Sequence, residues 1–118
     1  MADAVLTTQM EVQDGIQVVH ISGPLDSVTH DQFKETLDPI IRKPHSKIVL
    51  DCEKLSYATS KGMALLGSYQ RMALQNVSFL GIAGLNKRIV KTIELLGMGK
   101  LVKLYPTVEE AISAAKLL

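Results

Sequence analysis

The stretch KIVLDCEKLSYATSKGMALLGSY, from Lys47 to Tyr69, decides the fold of this 118-residue chain. Its first apolar run, Ile48–Leu50, is β-branched at two positions and short enough for a buried strand. Polar residues interrupt this run at 51–54, and a second short apolar patch follows at 55–58. From Met63 onward the apolar side chains recur at helical spacing. The stretch therefore predicts a strand, a loop and a helix.

Two adjacent hydroxyl residues, Thr59 and Ser60, lie where the predicted helix begins. The first N–H groups of a helix have no partner within it, so either hydroxyl is placed to cap the helix. The same N–H groups and the positive end of the helix dipole also favour a phosphate. The second interpretation is therefore a phosphorylation site, where modification adds about two negative charges to an exposed rim without unfolding the domain.

The composition, 47% hydrophobic and 21% charged, is typical of a soluble globular protein. The formal net charge of +1 gives no reason to expect binding to nucleic acid or to a membrane. The single cysteine, Cys52, cannot form an internal disulfide, which fits a reducing compartment. The N-terminal segment lacks the pattern of a signal peptide, and no apolar run approaches the ~20 residues that span a bilayer. We therefore expect one cytoplasmic domain over residues 1–118.

The first part of the chain predicts an antiparallel hairpin. Asp14-Gly15 separates two strand-like runs, at 6–12 and 16–21, and Asp-Gly between such runs is a strong hairpin signal. The segment 22–26 contains Gly and Pro, so we expect it to end the second strand.

Helices and strands alternate through the rest of the chain. Asp26 or Ser27 is expected to cap a first helix over 28–42, which Pro39 would kink or shorten. After the central stretch we predict, in order, a strand at 77–83, a helix at 87–96 capped by Asn86, a strand at 101–105 and a fourth helix beginning at Thr107. This alternation predicts an α/β fold with a mixed sheet of four to five strands and right-handed crossovers. The expected core residues are Ile48, Val49, Leu50, Leu66, Phe79 and Ile82.

No catalytic or metal-binding pattern is visible in the sequence. The three histidines, His20, His30 and His45, lack metal-ligand spacing. Cys52 directly follows a buried strand, which favours a small core residue over a nucleophile. Asp26 and Asp51 are placed for turn and cap roles rather than for acid–base chemistry. We therefore expect a protein that is not an enzyme and has no cofactor.

Basic residues are concentrated between 71 and 103. Six of them stand against one acid, Glu94: they are Arg71, Lys87, Arg88, Lys91, Lys100 and Lys103. A solvated helix face is one interpretation of such a run. A basic rim that steers an acidic partner is the other.

The central stretch, read with its neighbours, resembles the anti-anti-sigma factor family of STAS domains. The resemblance lies in IVLDCEKLSYATSKGMALL, in the turn ISGPLD at 21–26, and in the ending from LLGMGKL at 95–101 to Glu109-Glu110-Ala111. It spans the chain from Ile16 to about Ala114. Several linked segments in the right order make it more specific than any one of them.

The resemblance implies a phosphorylation cycle. Ser60 falls on the family's phosphorylated serine, and Asp26 falls on a turn aspartate near that site. A GHKL-type serine kinase, often itself the anti-sigma factor, would phosphorylate Ser60, and a PP2C-like phosphatase would reverse this. Only the unmodified form would bind the kinase and release its target. Thr59 and Lys61 depart from the usual residues, so the acceptor hydroxyl is ambiguous and Lys61 would either blunt the charge switch or contact an acidic partner.

We expect the partner surface to surround the start of the second helix, next to the Gly23–Asp26 turn. Its residues would be Asp26, Ser56, Thr59, Lys61, Gly62 and Met63. Tyr57 and an exposed edge of Met63 would anchor the partner, while Gly62 would let its backbone approach, so that Gly62→Leu weakens binding at an unchanged thermal midpoint. The alternative function is a constitutive STAS subunit of a stressosome-like complex or a lipid-transport ATPase.

Overall fold

The structure, a computed structural model, describes residues 5–118, so residues 1–4 of the predicted N-terminal segment lie outside the described part. Strands and helices alternate after an initial hairpin. The elements are β1 (Thr7–Gln13), β2 (Ile16–Leu25), α1 (His30–Ile41), β3 (Lys47–Ala58), α2 (Ser60–Gln75), β4 (Phe79–Ala83), α3 (Lys87–Leu95), β5 (Leu104–Tyr105) and α4 (Val108–Lys116).

The five strands form one mixed sheet in the order β1-β2-β3-β4-β5. The β1–β2 pair is antiparallel, and the three other pairs are parallel. The predicted mixed sheet with an N-terminal hairpin and four helices is therefore confirmed. β3 is the middle strand, so the first half of the Lys47–Tyr69 stretch forms the centre of the sheet.

Side chains of β3 alternate between two hydrophobic layers. Ile48 and Leu50 pack in the layer that α1, α2 and α3 cover, whereas Val49 packs in the layer beneath α4. The six predicted core residues, Ile48, Val49, Leu50, Leu66, Phe79 and Ile82, are all buried. Full burial of such a side chain stabilises the fold by about 1.5–3 kcal/mol, so these residues fix the sheet between its helices.

The predicted loop at 51–54 is wrong, because β3 continues through it. His20 pairs with Asp51, and Ser22 pairs with Lys54. Between these two pairs β2 advances by two residues and β3 by three. The extra residue in β3 forms a bulge, which lets a polar segment remain in the sheet. The backbone N–H of Glu53 donates to the Asp51 carboxylate at 3.1 Å within this bulge.

The predicted end of the second strand is also wrong, because β2 continues to Leu25. Gly23 pairs with Leu55 of β3 and Leu25 pairs with Ala58, with a register shift between them at Pro24. Pro24 lies beyond the last residue that β1 pairs, Ser22, so its missing N–H breaks no β1–β2 bond. The longer strand brings Leu25 to the start of α2.

α1 begins at His30, two residues later than predicted. The predicted cap at Asp26 or Ser27 is wrong, because the N-cap position is Thr29, whose side chain makes no capping bond. Asp26 instead acts before the helix: its Oδ1 accepts the backbone N–H of Val28 at 2.9 Å and that of Thr29 at 3.0 Å. These bonds stabilise a turn that leads into the helix. Pro39 lies inside α1, which continues two residues beyond it and ends at Ile41.

The last two strands are shorter than predicted. β4 begins at Phe79 because Val77 has a left-handed backbone, with φ of 54°, which no regular strand contains. β5 consists of Leu104–Tyr105 alone. The predicted caps of α3 and α4 are confirmed, since Asn86 accepts the N–H of Ile89 at 2.9 Å and Thr107 accepts that of Glu110 at 3.1 Å.

Candidate functional site

Thr59 caps α2. Its backbone is extended, with φ of −78° and ψ of 169°, and its Oγ1 accepts the N–H of Gly62 at 3.2 Å. Its carbonyl accepts the N–H of Met63 at 2.9 Å, which is the first bond of the helix. Ser60, the first helical residue, is exposed. The two adjacent hydroxyls therefore differ: Thr59 is engaged in the helix cap, and Ser60 faces solvent.

Gly62 and Met63 face the protein interior, not solvent. A Cβ on Gly62 would lie 2.6 Å from the Leu25 carbonyl oxygen, well inside van der Waals contact. Met63 is only 3% exposed and belongs to the core beneath α1–α3. The predicted exposed edge of Met63 is therefore wrong. The space at Gly62 is occupied by the end of β2, so we now expect Gly62→Leu to lower stability, contrary to the unchanged thermal midpoint expected from the sequence.

Leu25 joins β2 to the start of α2, a role that the sequence analysis missed. Its carbonyl accepts the N–H of Thr59 at 3.0 Å. Its side chain is buried, and its Cγ would lie 2.9 Å from a Cβ on Gly62. The signal was available in the sequence, because a glycine in the first turn of a helix marks a close approach of another backbone.

Asp26 lies beside this junction and bonds to β3. Its Oδ2 accepts the hydroxyl of Tyr57 at 3.0 Å, while Oδ1 accepts N–H groups from its own turn. The N–H of Thr29, above all, holds the pKa of the Asp26 carboxyl below its ordinary value of 3.8. The bond to Asp26 raises the pKa of Tyr57. Asp26 is thus an ionised group that fixes the turn next to α2, and Tyr57 is a polar contact as well as an exposed ring.

The exposed residues at this end of the sheet come from three segments. Ser56, Tyr57, Ser60 and Lys61 are exposed around the start of α2. Asn86 places the start of α3 beside them, because its Nδ2 lies 3.5 Å from the Ser56 carbonyl oxygen. Lys87 and Arg88, which follow Asn86, are exposed.

The six residues predicted for the partner surface differ in exposure. Ser56 and Lys61 are accessible, Asp26 and Thr59 are partly so, and Gly62 and Met63 are buried. The start of α3 was missed as a neighbour of this surface.

The basic residues of the 71–103 region do not share one environment. Lys87, Arg88 and Lys91 are exposed on α3. The Lys103 ammonium instead lies 5.5 Å from the centroid of the Phe79 ring. Of these residues, Lys87 and Arg88 follow Asn86 and so lie nearest to the Ser60 end of the sheet.

His20 takes part in a separate polar cluster on the sheet. Its Nδ1 lies 2.6 Å from Asp51 and its Nε2 lies 2.7 Å from Glu11. These two bonds, chiefly the one to Glu11, raise the pKa of His20 above its ordinary value of 6.5. The cluster links β1, β2 and β3. Asp51 bonds to His20, whereas Asp26 bonds to Tyr57 and to its own turn, so the two carboxylates have different partners. Within residues 5–118, no three His, Cys, Asp or Glu side chains are grouped so as to hold a metal ion.

Cys52 is a core residue. Its side chain is fully buried, and this burial raises the pKa of the thiol to about 12. A thiol with so high a pKa stays protonated at neutral pH and is a poor nucleophile.

None of the described helices is long and apolar enough to cross a bilayer.

The geometry described above is that of a STAS domain, and comparison with known proteins shows the family. The STAS domain family matches residues 7–111, so the chain belongs to that family. It is 22% identical over 111 residues to an anti-sigma-F factor antagonist of Mycobacterium tuberculosis, covering 94% of this chain and 90% of that protein. It is 29% identical over 93 residues to an anti-sigma-B factor antagonist of Staphylococcus aureus, covering 79% and 86%.

A solved structure shares the fold over almost its whole length. The crystal structure of an anti-sigma factor antagonist from Mycobacterium paratuberculosis superposes with a TM-score of 0.82 at 26% identity, covering 94% of each chain. The resemblance to anti-sigma factor antagonists is thereby confirmed: these relatives and this neighbour all carry that description.

Proposed function

We propose that this protein is a cytoplasmic anti-sigma factor antagonist-like binding module whose partner affinity is switched by phosphorylation of Ser60. The observation that carries the proposal is the division between the two hydroxyls. Thr59 accepts an N–H within the helix cap, whereas Ser60 is exposed at the first position of α2. A kinase can reach Ser60 without disturbing the cap.

The first turn of α2 is suited to a phosphorylated side chain. A phosphate on Ser60 would lie near the positive end of the helix dipole and next to the exposed Lys61 ammonium. These interactions stabilise the added charge, so the fold tolerates it. Phosphorylation instead lowers the affinity for the partner, because a dianion in an interface must be desolvated and repels an acidic surface.

The proposed partners are those of a bacterial partner-switching pathway. A GHKL-type serine kinase that acts as an anti-sigma factor would bind the unmodified protein, and a PP2C-like phosphatase would regenerate it. Neither nucleic acid nor a membrane takes part directly. The names of the relatives support the antagonist role, and the exposed Ser60 supports the switch.

The decisive experiment compares Ser60→Ala with Ser60→Asp in titrations against the candidate kinase. Ser60→Ala should bind constitutively, and Ser60→Asp should bind at least about tenfold more weakly, with an equal thermal midpoint for both. Phosphate mapping by mass spectrometry after incubation with kinase and ATP should find Ser60. Equal affinities would remove Ser60 from the switch, and phosphate on Thr59 would move the role by one residue. A partner bound equally before and after kinase treatment would favour the constitutive assembly subunit.

Charge reversal locates the partner surface. Lys61→Glu should slow association with an acidic partner and reduce its salt dependence, since exposed rim charges act chiefly on the association rate. Lys43→Glu is the matched control, because it makes the same change at an exposed site beyond the end of α1. If reversing Lys87, Arg88 and Lys91 abolishes binding while Lys61→Glu has no effect, the surface lies on α3.

A further inference from the structure

β1 forms a long free edge of the sheet. Among residues 5–118 it pairs with β2 alone, and it is seven residues long. The opposite edge strand, β5, has two residues. The outer side of an edge strand presents backbone N–H and C=O groups that another strand can bind.

The position of β1 is fixed by its surroundings. It pairs with β2 in an unbroken register from Thr7–Ser22 to Gln13–Ile16. Leu6, just before it, is buried, and its carbonyl accepts the Gln32 side-chain amide at 2.5 Å. The outer edge is therefore regular along all seven residues.

Three features by which proteins protect an edge, basic residues, proline and a bulge, are missing from β1. Its sequence, TTQMEVQ, contains no lysine, arginine or proline, and its pairing with β2 has no bulge. Its single charge, Glu11, is held by His20 of its own sheet at 2.7 Å. Nothing in the strand therefore repels an approaching strand of similar character.

One face of β1 carries an exposed apolar row. Alternate residues of a strand share a face, which places Met10 and Val12 together with Thr8. Met10 is 52% exposed and Val12 is 70% exposed. A second strand alongside β1 would remove part of this apolar surface from water.

We infer that β1 pairs antiparallel with β1 of a second copy of this chain. Met10 is the central residue of Thr7–Gln13, so a two-fold axis at Met10 pairs all seven residues. This register sets Met10 against Met10 and Thr8 against Val12, and it sets Glu11 against the uncharged Gln9. An axis at Glu11 would instead oppose two carboxylates, which destabilises a strand pair. The strand is thus complementary to itself in its longest register.

The resulting dimer joins two sheets into one and is reversible. A seven-residue strand pair buries less than the roughly 1,600 Å² of a standard stable interface, so association depends on protein concentration. Ser60 begins α2 just after β3, and β3 is two strands from the β1 edge in the sheet order. The inference does not rest on the proposed phosphorylation switch.

Single cysteine substitutions test the register. Directly opposed residues of an antiparallel pair lie about 4.5–5.5 Å apart at Cα, within reach of a disulfide. Met10→Cys should therefore form covalent dimers under mild oxidation. Val12→Cys is the matched control: it is more exposed on the same face, but its counterpart in the second copy lies four residues along the strand and out of reach. The buried Cys52 stays unreactive in both, with the unsubstituted chain as baseline. Equal crosslinking of the two variants would overturn the register.

Sedimentation equilibrium tests the dimer without a crosslink. The unsubstituted chain should show a concentration-dependent dimer. Met10→Lys with Val12→Lys should weaken it at least about tenfold, because two lysines then oppose each other at the axis and apolar contact is lost. Leu74→Lys, at an apolar site on α2 that is at least as exposed, should have no effect. A chain that stays monomeric at millimolar concentration, or a dimer that Leu74→Lys breaks and the β1 variant does not, would overturn the inference.

Discussion

Two pairs of neighbouring residues in the first turn of α2 meet opposite environments. Ser60 and Lys61 are exposed, whereas Gly62 and Met63 are buried against Leu25 and the core. Only one residue step separates the pairs, yet one is free to change its charge and the other fixes the helix to β2. From this difference we expect that the outer pair can be changed without loss of the fold, whereas the inner pair cannot.

The largest expected effect comes from Met63, the deepest residue of the turn. Met63→Ala should lower the free energy of unfolding by about 3 kcal/mol, because truncating a buried methionine leaves a cavity. Urea denaturation measures it. Lys61→Ala, two positions earlier and exposed, should change the same quantity by less than about 0.5 kcal/mol. Equal losses for the two variants would break the contrast between the inner and outer residues.

Gly62→Leu should destabilise by about 2 kcal/mol. A side chain at this position collides with the Leu25 carbonyl, and the backbone must move to make room. Thermal unfolding measures the shift, and Lys61→Leu introduces the same side chain at the neighbouring exposed position as the control. A thermal midpoint that stays unchanged in Gly62→Leu would show that the end of β2 can withdraw from α2.

Thr59→Ala should lower the free energy of unfolding by about 1 kcal/mol, since the N–H of Gly62 loses its acceptor. Thr59→Ser keeps the hydroxyl and should restore most of the stability. Ser60→Ala should be nearly neutral in the same denaturation experiment, because Ser60 is exposed outside the cap. If Ser60→Ala costs as much as Thr59→Ala, the two hydroxyls share the capping role and the contrast between them fails.

The smallest effect concerns the Asp26 carboxyl beside the turn. Its pKa is lower in the folded protein than the ordinary value of 3.8, so it stabilises the fold above that value. The contribution is lost as the pH falls through the lowered pKa, because protonation then costs the accepted hydrogen bonds. An NMR titration of the Asp26 carboxyl should show a midpoint below 3.8, and Tyr57→Phe should raise it slightly. A midpoint at or above 3.8 would contradict these bonds.

Some of the departures from the predicted elements have the same physical origin. Sequence patterns predicted breaks at 51–54 and 22–26, where polar residues, Gly and Pro interrupt apolar runs. Both segments stay in the sheet because the β2–β3 register shifts at two places. The first shift accommodates the extra residue of β3 after Asp51, and the second accommodates Pro24 in β2. Beyond Ser22 and Asp51 these two strands pair only with each other, so their mutual pairing keeps them extended and local composition alone does not end them.

The sequence by itself determined the alternation of elements, the hairpin at Asp14-Gly15, the core of β3 and the hydroxyl pair at the start of α2. These features follow from periodicity and from local turn and cap chemistry, which depend on nearby residues. Tertiary structure alone decided which hydroxyl caps and which is exposed, and which segment packs against Gly62. Those outcomes depend on Leu25, about 35 residues earlier in the chain, whose carbonyl reaches Thr59 and fills the space at Gly62. Gly62 in the first turn indicates that another backbone comes close. A contact between distant segments leaves no periodic signal, however, so only the folded chain shows that this backbone is the end of β2.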